Sequence, residues 1–111
     1  MALLTRTEEM LLLTVCKLQD DAAGMQIRKA MEAVTGRRYS IGGIYVPLDR
    51  LVQKGLLRAY EQAPTPERGG RRKRVYEITT AGLAALREIR QVEQALWSGL
   101  PAGVSLKLGL T

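Results

Sequence analysis

The fold is decided by residues 40–79, which read SIGGIYVPLDRLVQKGLLRAYEQAPTPERGGRRKRVYEIT. Residues 41–55 have the periodicity of an amphipathic helix, and Ser40 is a suitable residue to cap its N-terminus. Pro47 removes one backbone hydrogen bond inside this helix. The pattern predicts that one face is buried and the other is polar. The buried face comprises Ile41, Ile44, Leu48, Leu51 and Gly55, and the opposite face carries Gly42, Gly43, Val46, Pro47, Arg50, Gln53 and Lys54.

After this helix the pattern changes to that of two antiparallel strands, over about residues 56–62 and 74–79. The segment between them, 63–72, is too long for a tight turn and is rich in Pro and Gly. It therefore predicts an exposed hairpin tip.

Two more helices are predicted upstream of the decisive stretch. The first covers about residues 7–19 with Thr7 as its cap, and the second covers about 22–35, with Asp21 as its cap and Gly36 at its end. The buried side of the second comprises Met25, Ile27, Ala30, Met31 and Val34. Three helices, a strand, a basic loop and a second strand follow the order of a winged helix-turn-helix, so the fold class is mainly α with a small β-hairpin (α+β).

A fourth helix is predicted from Thr80, its cap, to Trp97. Leu83 and Leu86 could pack onto the body, while a second apolar edge has the spacing of a coiled-coil seam, formed by Ala85, Ile89, Val92 and Leu96. We expect a DNA-binding domain over 1–79, a dimerisation helix over 80–97 and a loosely ordered tail over 98–111.

Composition narrows the function classes. The net charge is +6, and five cations and no anion lie in residues 68–74. Because the chain has no His and one Cys, Cys16, it cannot build a zinc finger or a His-dependent triad, and it has no glycine-rich nucleotide loop. We expect no catalytic residue, metal or cofactor. No apolar run approaches the ~20 residues of a membrane span, and a lone Cys suits the cytoplasm.

Three motifs resemble the PadR family of transcriptional regulators. Residues 43–51 (GIYVPLDRL) with 54–57 (KGLL) resemble its third helix and the start of its first strand, and 72–79 (RKRVYEIT) with Gly82 resemble its second wing strand. Residues 21–27 resemble the start of its second helix, except that Ala23 stands where the family commonly has an aromatic residue. The resemblance covers about residues 6–97 and is to the short type of the family. It implies a repressor, usually of a transporter or detoxification operon, that releases DNA when it binds a small ligand.

The candidate DNA-binding residues lie on the third helix, before it, and in the wing. Tyr45 could give its hydroxyl to a phosphate or simply pack in the core, and the wing cations could contact DNA or form a solvated charge run. The full set is Arg38, Ser40, Gly42, Gly43, Tyr45, Arg50, Gln53, Arg68, Arg71, Arg72, Lys73 and Arg74.

The expected partners are double-stranded DNA and a second copy of the chain, which meets the first through the seam of the fourth helix. Trp97 could cover that seam or offer its ring to a small aromatic or cationic effector. No membrane is expected as a partner. Two other functions fit the same features: a winged-helix adaptor that binds protein, and a binder of RNA or chromosomal DNA without sequence preference.

Overall fold

The computed structural model describes residues 3–63, 66–69 and 73–110. Its elements follow the predicted order, and a winged helix-turn-helix with a C-terminal helix is confirmed. The helices are α1 (Arg6–Leu18), α2 (Gly24–Thr35), α3 (Ile41–Gln53), α4 (Thr80–Trp97) and α5 (Ala102–Lys107), the strands are β1 (Leu57–Gln62) and β2 (Lys73–Ile78), and 3₁₀ turns cover Gln19–Asp21 and Pro66–Arg68. No helix among these residues is long and apolar enough to cross a membrane.

The N-terminal cap of α1 is Thr5, so the prediction of Thr7 is wrong. Thr5 and Glu8 form a capping box: the Thr5 side chain accepts from the Glu8 N–H at 3.1 Å, and the Glu8 carboxylate accepts from the Thr5 N–H at 2.8 Å. Two backbone donors are satisfied in this way, whereas Thr7 lies inside the first turn.

The start of α2 also differs from the prediction, because Asp21 belongs to a 3₁₀ turn and Ala23 occupies the cap position. The backbone of residues 22–23 pairs instead with β2: the Tyr76 N–H donates to the Ala22 carbonyl at 2.9 Å, and Ala23 bridges Val75. This extended segment delays the helix until Gly24. Gly36 ends α2 in the left-handed conformation, as predicted.

The core is formed by α1, α2, α3 and the base of the hairpin. Its fully buried side chains include Leu11, Leu12, Ile27, Met31, Ile44, Leu48, Leu51, Leu57, Val75 and Tyr76. Three residues predicted to be buried are exposed instead: Met25 by 44%, Val34 by 77% and Ile41 by 59%. Among the residues that the structure describes, the neighbouring elements leave each of these side chains largely open to solvent. Gly55, predicted at the end of the buried face of α3, is exposed and follows the helix.

Strands β1 and β2 form an antiparallel hairpin, which we call the wing (57–78). One face of the wing turns Leu57, Ala59 and Tyr76 toward the core, and Glu61 pairs with Arg74 on the same face. The opposite face carries Arg58 paired with Glu77, whose side chains form an ion pair at 2.8 Å.

Helix α4 begins beside the wing. Its cap is Thr79 and not the predicted Thr80: the Thr79 side chain accepts from the Gly82 N–H at 3.0 Å and donates to the Gly55 carbonyl at 2.6 Å. Leu86 packs against the core, as expected, while Leu83 is half-exposed.

The chain beyond α4, predicted as a loosely ordered tail, includes the helix α5, which has no buried residue. Local backbone hydrogen bonds define this helix, such as that from the Ser105 N–H to the Pro101 carbonyl at 3.0 Å. The molecule is elongated, with extents of 58 × 30 × 21 Å and a radius of gyration of 16.8 Å. A compact chain of this length would have a radius of about 13 Å.

Candidate nucleic-acid interface

The exposed side of α3 presents a continuous surface, which we call the recognition face: Gly42, Val46, Asp49, Arg50 and Gln53. These residues are three or four positions apart, except for the adjacent Asp49 and Arg50, and all of them are exposed. The predicted polar face of α3 is therefore exposed, apart from Pro47, which is partly buried. Val46, exposed by 51%, adds an apolar side chain of the kind that can contact a thymine methyl group.

The N-terminus of α3 is open to solvent. Ser40 caps it, as predicted, by accepting from the Gly43 N–H at 2.9 Å. Both Gly42 and Gly43 are exposed, and a Cβ at Gly42 would meet nothing within 4 Å. Because the first N–H groups of a helix lack partners within it, this turn can approach an anion closely.

The loop before α3 is held in place while its cations stay exposed. The Tyr39 N–H donates to Glu32 at 2.8 Å, and Glu32 also pairs with Arg28 at 3.7 Å. Arg38, one of the predicted DNA-binding residues, lies next to this anchor and is exposed.

Tyr45 is held by packing on α2. A Cβ on Gly24 would lie 2.2 Å from Cζ and 2.3 Å from the hydroxyl oxygen of Tyr45, so the ring occupies the space that only glycine leaves free. The structure therefore shows the Tyr45 ring packed against α2, while a contact between its hydroxyl and a phosphate stays a prediction. It fixes the position of α3 against α2.

The wing lies beside the recognition face, and an ion pair joins the two. Arg74 Nη2 on β2 lies 3.4 Å from Asp49 Oδ1 on α3, and its guanidinium carbon lies 5.5 Å from the centre of the Tyr76 ring. Burial raises the pKa of Tyr76, and the neighbouring guanidinium of Arg74 opposes this shift. Asp49 is not among the predicted DNA-binding residues, because its partner lies 25 residues away in the chain.

The structure describes only some of the other predicted wing cations. Lys73 begins β2 and is half-buried, and the backbone of Arg68 lies in the turn Pro66–Arg68. Arg71 and Arg72 lie outside the described residues.

A second ion pair, between Lys54 and Glu8, connects the C-terminal end of α3 to α1. Burial acts to raise the pKa of Glu8, but Lys54 and the Thr5 backbone N–H more than offset it, so the pKa lies below its usual value. Lys54 is thus held at the C-terminal end of α3, while Arg50 on the recognition face is exposed.

The four seam residues of α4 lie along one edge of the helix. Ala85, Ile89 and Val92 are partly buried in the single chain, and Leu96 is exposed by 72%. Trp97, at the end of α4, is exposed by 53%.

Helix α4 contacts α1 through Glu93, which faces Glu9 and lies 3.9 Å from Arg6. Burial and the neighbouring Glu93 raise the pKa of Glu9. The thiol of Cys16 in α1 is half-buried, and burial raises its pKa, which suits a side chain that fills space rather than one that reacts.

An exposed helix face, a hairpin beside it and a long C-terminal helix define a winged helix-turn-helix regulator. Residues 12–88 match the sequence model described as the transcriptional regulator PadR-like family, and the chain belongs to that family. Members of the family are transcriptional regulators that bind DNA, typically as dimers. No curated protein sequence matches the chain significantly.

Solved structures share the fold at low sequence identity. A PadR family transcription regulator from hypervirulent Clostridium difficile is 21% identical, with a TM-score of 0.61 over 89% of this chain and 96% of that one. A complex structure of hsRosR is 23% identical, with a TM-score of 0.68 over 87% of this chain and 79% of that one. A mutant of MepR from S. aureus is 22% identical, with a TM-score of 0.60 over 96% of this chain and 72% of that one.

Proposed function

We propose that this regulator represses transcription by binding an inverted-repeat operator as a two-fold dimer and leaves it when a small ligand binds. The observation that carries the proposal is the shared surface of α3 and the wing. The recognition face would enter the major groove, and the wing cations would contact the flanking phosphates. The net charge of +6 would add attraction that does not depend on sequence.

Dimerisation is supported by the shape of the chain. Helix α4 has 18 residues, which corresponds to a length of about 27 Å, and along its seam Ala85, Ile89 and Val92 are only partly buried while Leu96 is 72% exposed. A row of apolar side chains that its own chain covers only in part, and that is open to water at Leu96, is the kind of surface that a partner covers. In a two-fold dimer through this seam, each wing would be carried by its own α4, and the two recognition faces would read equivalent half-sites.

The effector site is proposed at Trp97. Its exposed ring lies at the end of α4 far from the wing, beside the exposed Leu96. Two such rings facing each other across the seam would stack on a planar cation from both sides. Titration of planar cationic dyes should quench the single Trp, and calorimetry with Trp97→Ala should show weaker binding. Equal affinity of the two proteins would remove Trp97 from the site.

The DNA-binding proposal is tested by selecting duplexes from a random library and measuring affinity by fluorescence anisotropy across a range of salt concentrations. The selected duplex should bind at least about 10³-fold more tightly than a scrambled one. Arg50→Ala, on the recognition face, should reduce this ratio, while the matched control Arg87→Ala, exposed on α4 and off the seam, should not. No binding to any duplex would favour the protein adaptor, and equal binding to all duplexes or to RNA would favour the non-specific binder.

A further inference from the structure

Asp49 is an unexpected residue for a surface that meets DNA. It is the only acidic residue within α3, and it lies three positions after Val46 and four before Gln53, in the middle of the recognition face. Its side chain is 54% exposed. A carboxylate at this position repels phosphates unless a cation neutralises it.

The cation that neutralises Asp49 comes from the wing. Arg74 Nη2 lies 3.4 Å from Asp49 Oδ1, and the guanidinium lies over the ring of Tyr76, which is only 1% exposed. Because the core fixes this ring, Arg74 rests on a rigid support beside the carboxylate. The charges of the pair cancel, so Arg74 in this position does not act as a free cation toward a phosphate.

We propose that Asp49 is a positioning residue that raises the sequence selectivity of DNA binding by withholding Arg74 from non-specific duplex. Arg74 stays with Asp49 on a random duplex and moves to a phosphate only where the operator brings that phosphate within reach of the wing. This inference rests on the proposed DNA-binding function and adds to it an internal competitor for one phosphate contact in each subunit.

The physical basis is the exchange of one charge-assisted contact for another. An exposed ion pair is weak, so a well-placed phosphate can displace Asp49, whereas a poorly placed one cannot. Each phosphate neutralised adds about 0.9 to the slope of log K against log salt. The state of Arg74 can therefore be read from salt dependence.

The experiment compares the wild type with Asp49→Asn and with Asp49→Asn/Arg74→Ala on the selected and scrambled duplexes. On scrambled duplex, the wild type and the double variant should have equal slopes, because a neutral pair and two neutral side chains release the same counterions. The slope for Asp49→Asn should be steeper by about 1.8 per dimer. This corresponds to an additional loss of affinity of about 12-fold between 50 and 200 mM salt. On the selected duplex, the slope for the wild type should be steeper than that for the double variant by the same 1.8.

The matched control is Glu77→Gln, which breaks the Arg58–Glu77 pair on the opposite face of the wing and adds the same charge as Asp49→Asn. It should leave both slopes unchanged. Thermal unfolding checks that each variant is folded, and Asp49→Glu should restore the wild-type slope on scrambled duplex.

Two results would overturn the inference: an equal effect of Glu77→Gln and Asp49→Asn, or a wild type steeper than the double variant on scrambled duplex. Failure of the proposed function itself is distinguishable, because the wild type would then not discriminate the selected duplex from the scrambled one.

Discussion

Replacing Gly82 by Ala should loosen the joint between the wing and α4. A Cβ at this position would lie 2.2 Å from the Leu56 carbonyl oxygen and 2.7 Å from Ile78 Cγ1, whereas ordinary van der Waals contact begins at 3.4 Å. Leu56 O belongs to the backbone and cannot rotate away as the end of a side chain can. The start of α4 must therefore move away from Leu56, which directly precedes β1, by about 1.2 Å.

The cost of this movement can be worked from its parts. Overpacking of a well-packed site costs about 1–3 kcal/mol, and the better helix propensity of Ala returns up to about 1 kcal/mol. The shift also strains the Thr79 cap, which links the Gly82 N–H to the Gly55 carbonyl and contributes about 1 kcal/mol. The net loss should be about 2 kcal/mol, which lowers the Tm of a domain of this size by roughly 10 °C.

Circular dichroism during thermal unfolding measures this shift, and Gly42→Ala is the matched control. Gly42 lies in the first turn of α3, where an added Cβ meets nothing within 4 Å, so that variant should unfold at the wild-type temperature or slightly above it. Equal unfolding temperatures of Gly82→Ala and the wild type would refute the packing argument, because they would mean that α4 can shift without a loss in the free energy of unfolding.

Three further predictions concern assembly, DNA contact and pH. Ile89→Asp should place a charge in the seam and give monomers with weak operator binding; sedimentation at micromolar concentration checks this, and a monomeric wild type would contradict it. Replacing Arg71, Arg72 and Arg74 together by Ala should make the slope of log K against log salt on the operator shallower by roughly five, if each contacts one phosphate per subunit. An unchanged slope would mean that the wing does not contact DNA. Because its folded-state pKa is lowered, Glu8 contributes stability that is present above its unfolded pKa of about 4.3 and is lost as the pH falls through the folded value. In urea unfolding, Glu8→Gln should thus be less stable than the wild type at pH 7 and equally stable near pH 2. If the difference in free energy of unfolding were the same at both pH values, the effect would come from the cap alone.

Local chemistry was sufficient to predict most of the fold. Ser40 and Gly36 act on residues three or four positions away, so their roles as cap and helix end could be read from the sequence. Thr5 with Glu8 was equally readable as a capping box, and the choice of Thr7 failed because two threonines compete at that helix start. Where two nearby residues are both suitable caps, the sequence does not show which of them begins the helix.

Contacts between distant elements could not be predicted in the same way. Periodicity identifies the apolar face of a helix but not how far its neighbours cover it, and for this reason Val34 and Ile41 proved exposed. Tyr45 over Gly24 and Asp49 beside Arg74 join residues that are 21 and 25 positions apart in the numbering. Their geometry follows from the packing of whole elements, so the sequence left the role of Tyr45 open and gave no signal for Asp49.

The joint at Gly82 also limits how a ligand at Trp97 could act on DNA. The two residues lie at opposite ends of the same helix, and the cap and close packing at Gly82 couple the start of that helix to residues 55–56, directly before β1, and to Ile78 at the end of β2. A ligand that separates or rotates the two copies of α4 would then carry each wing with it. For a 30-fold loss of operator affinity, the ligand must bind the DNA-free arrangement better by about 2 kcal/mol. A loosened joint would transmit less of this difference, so Gly82→Ala should weaken the response to the ligand more than it weakens ligand binding itself.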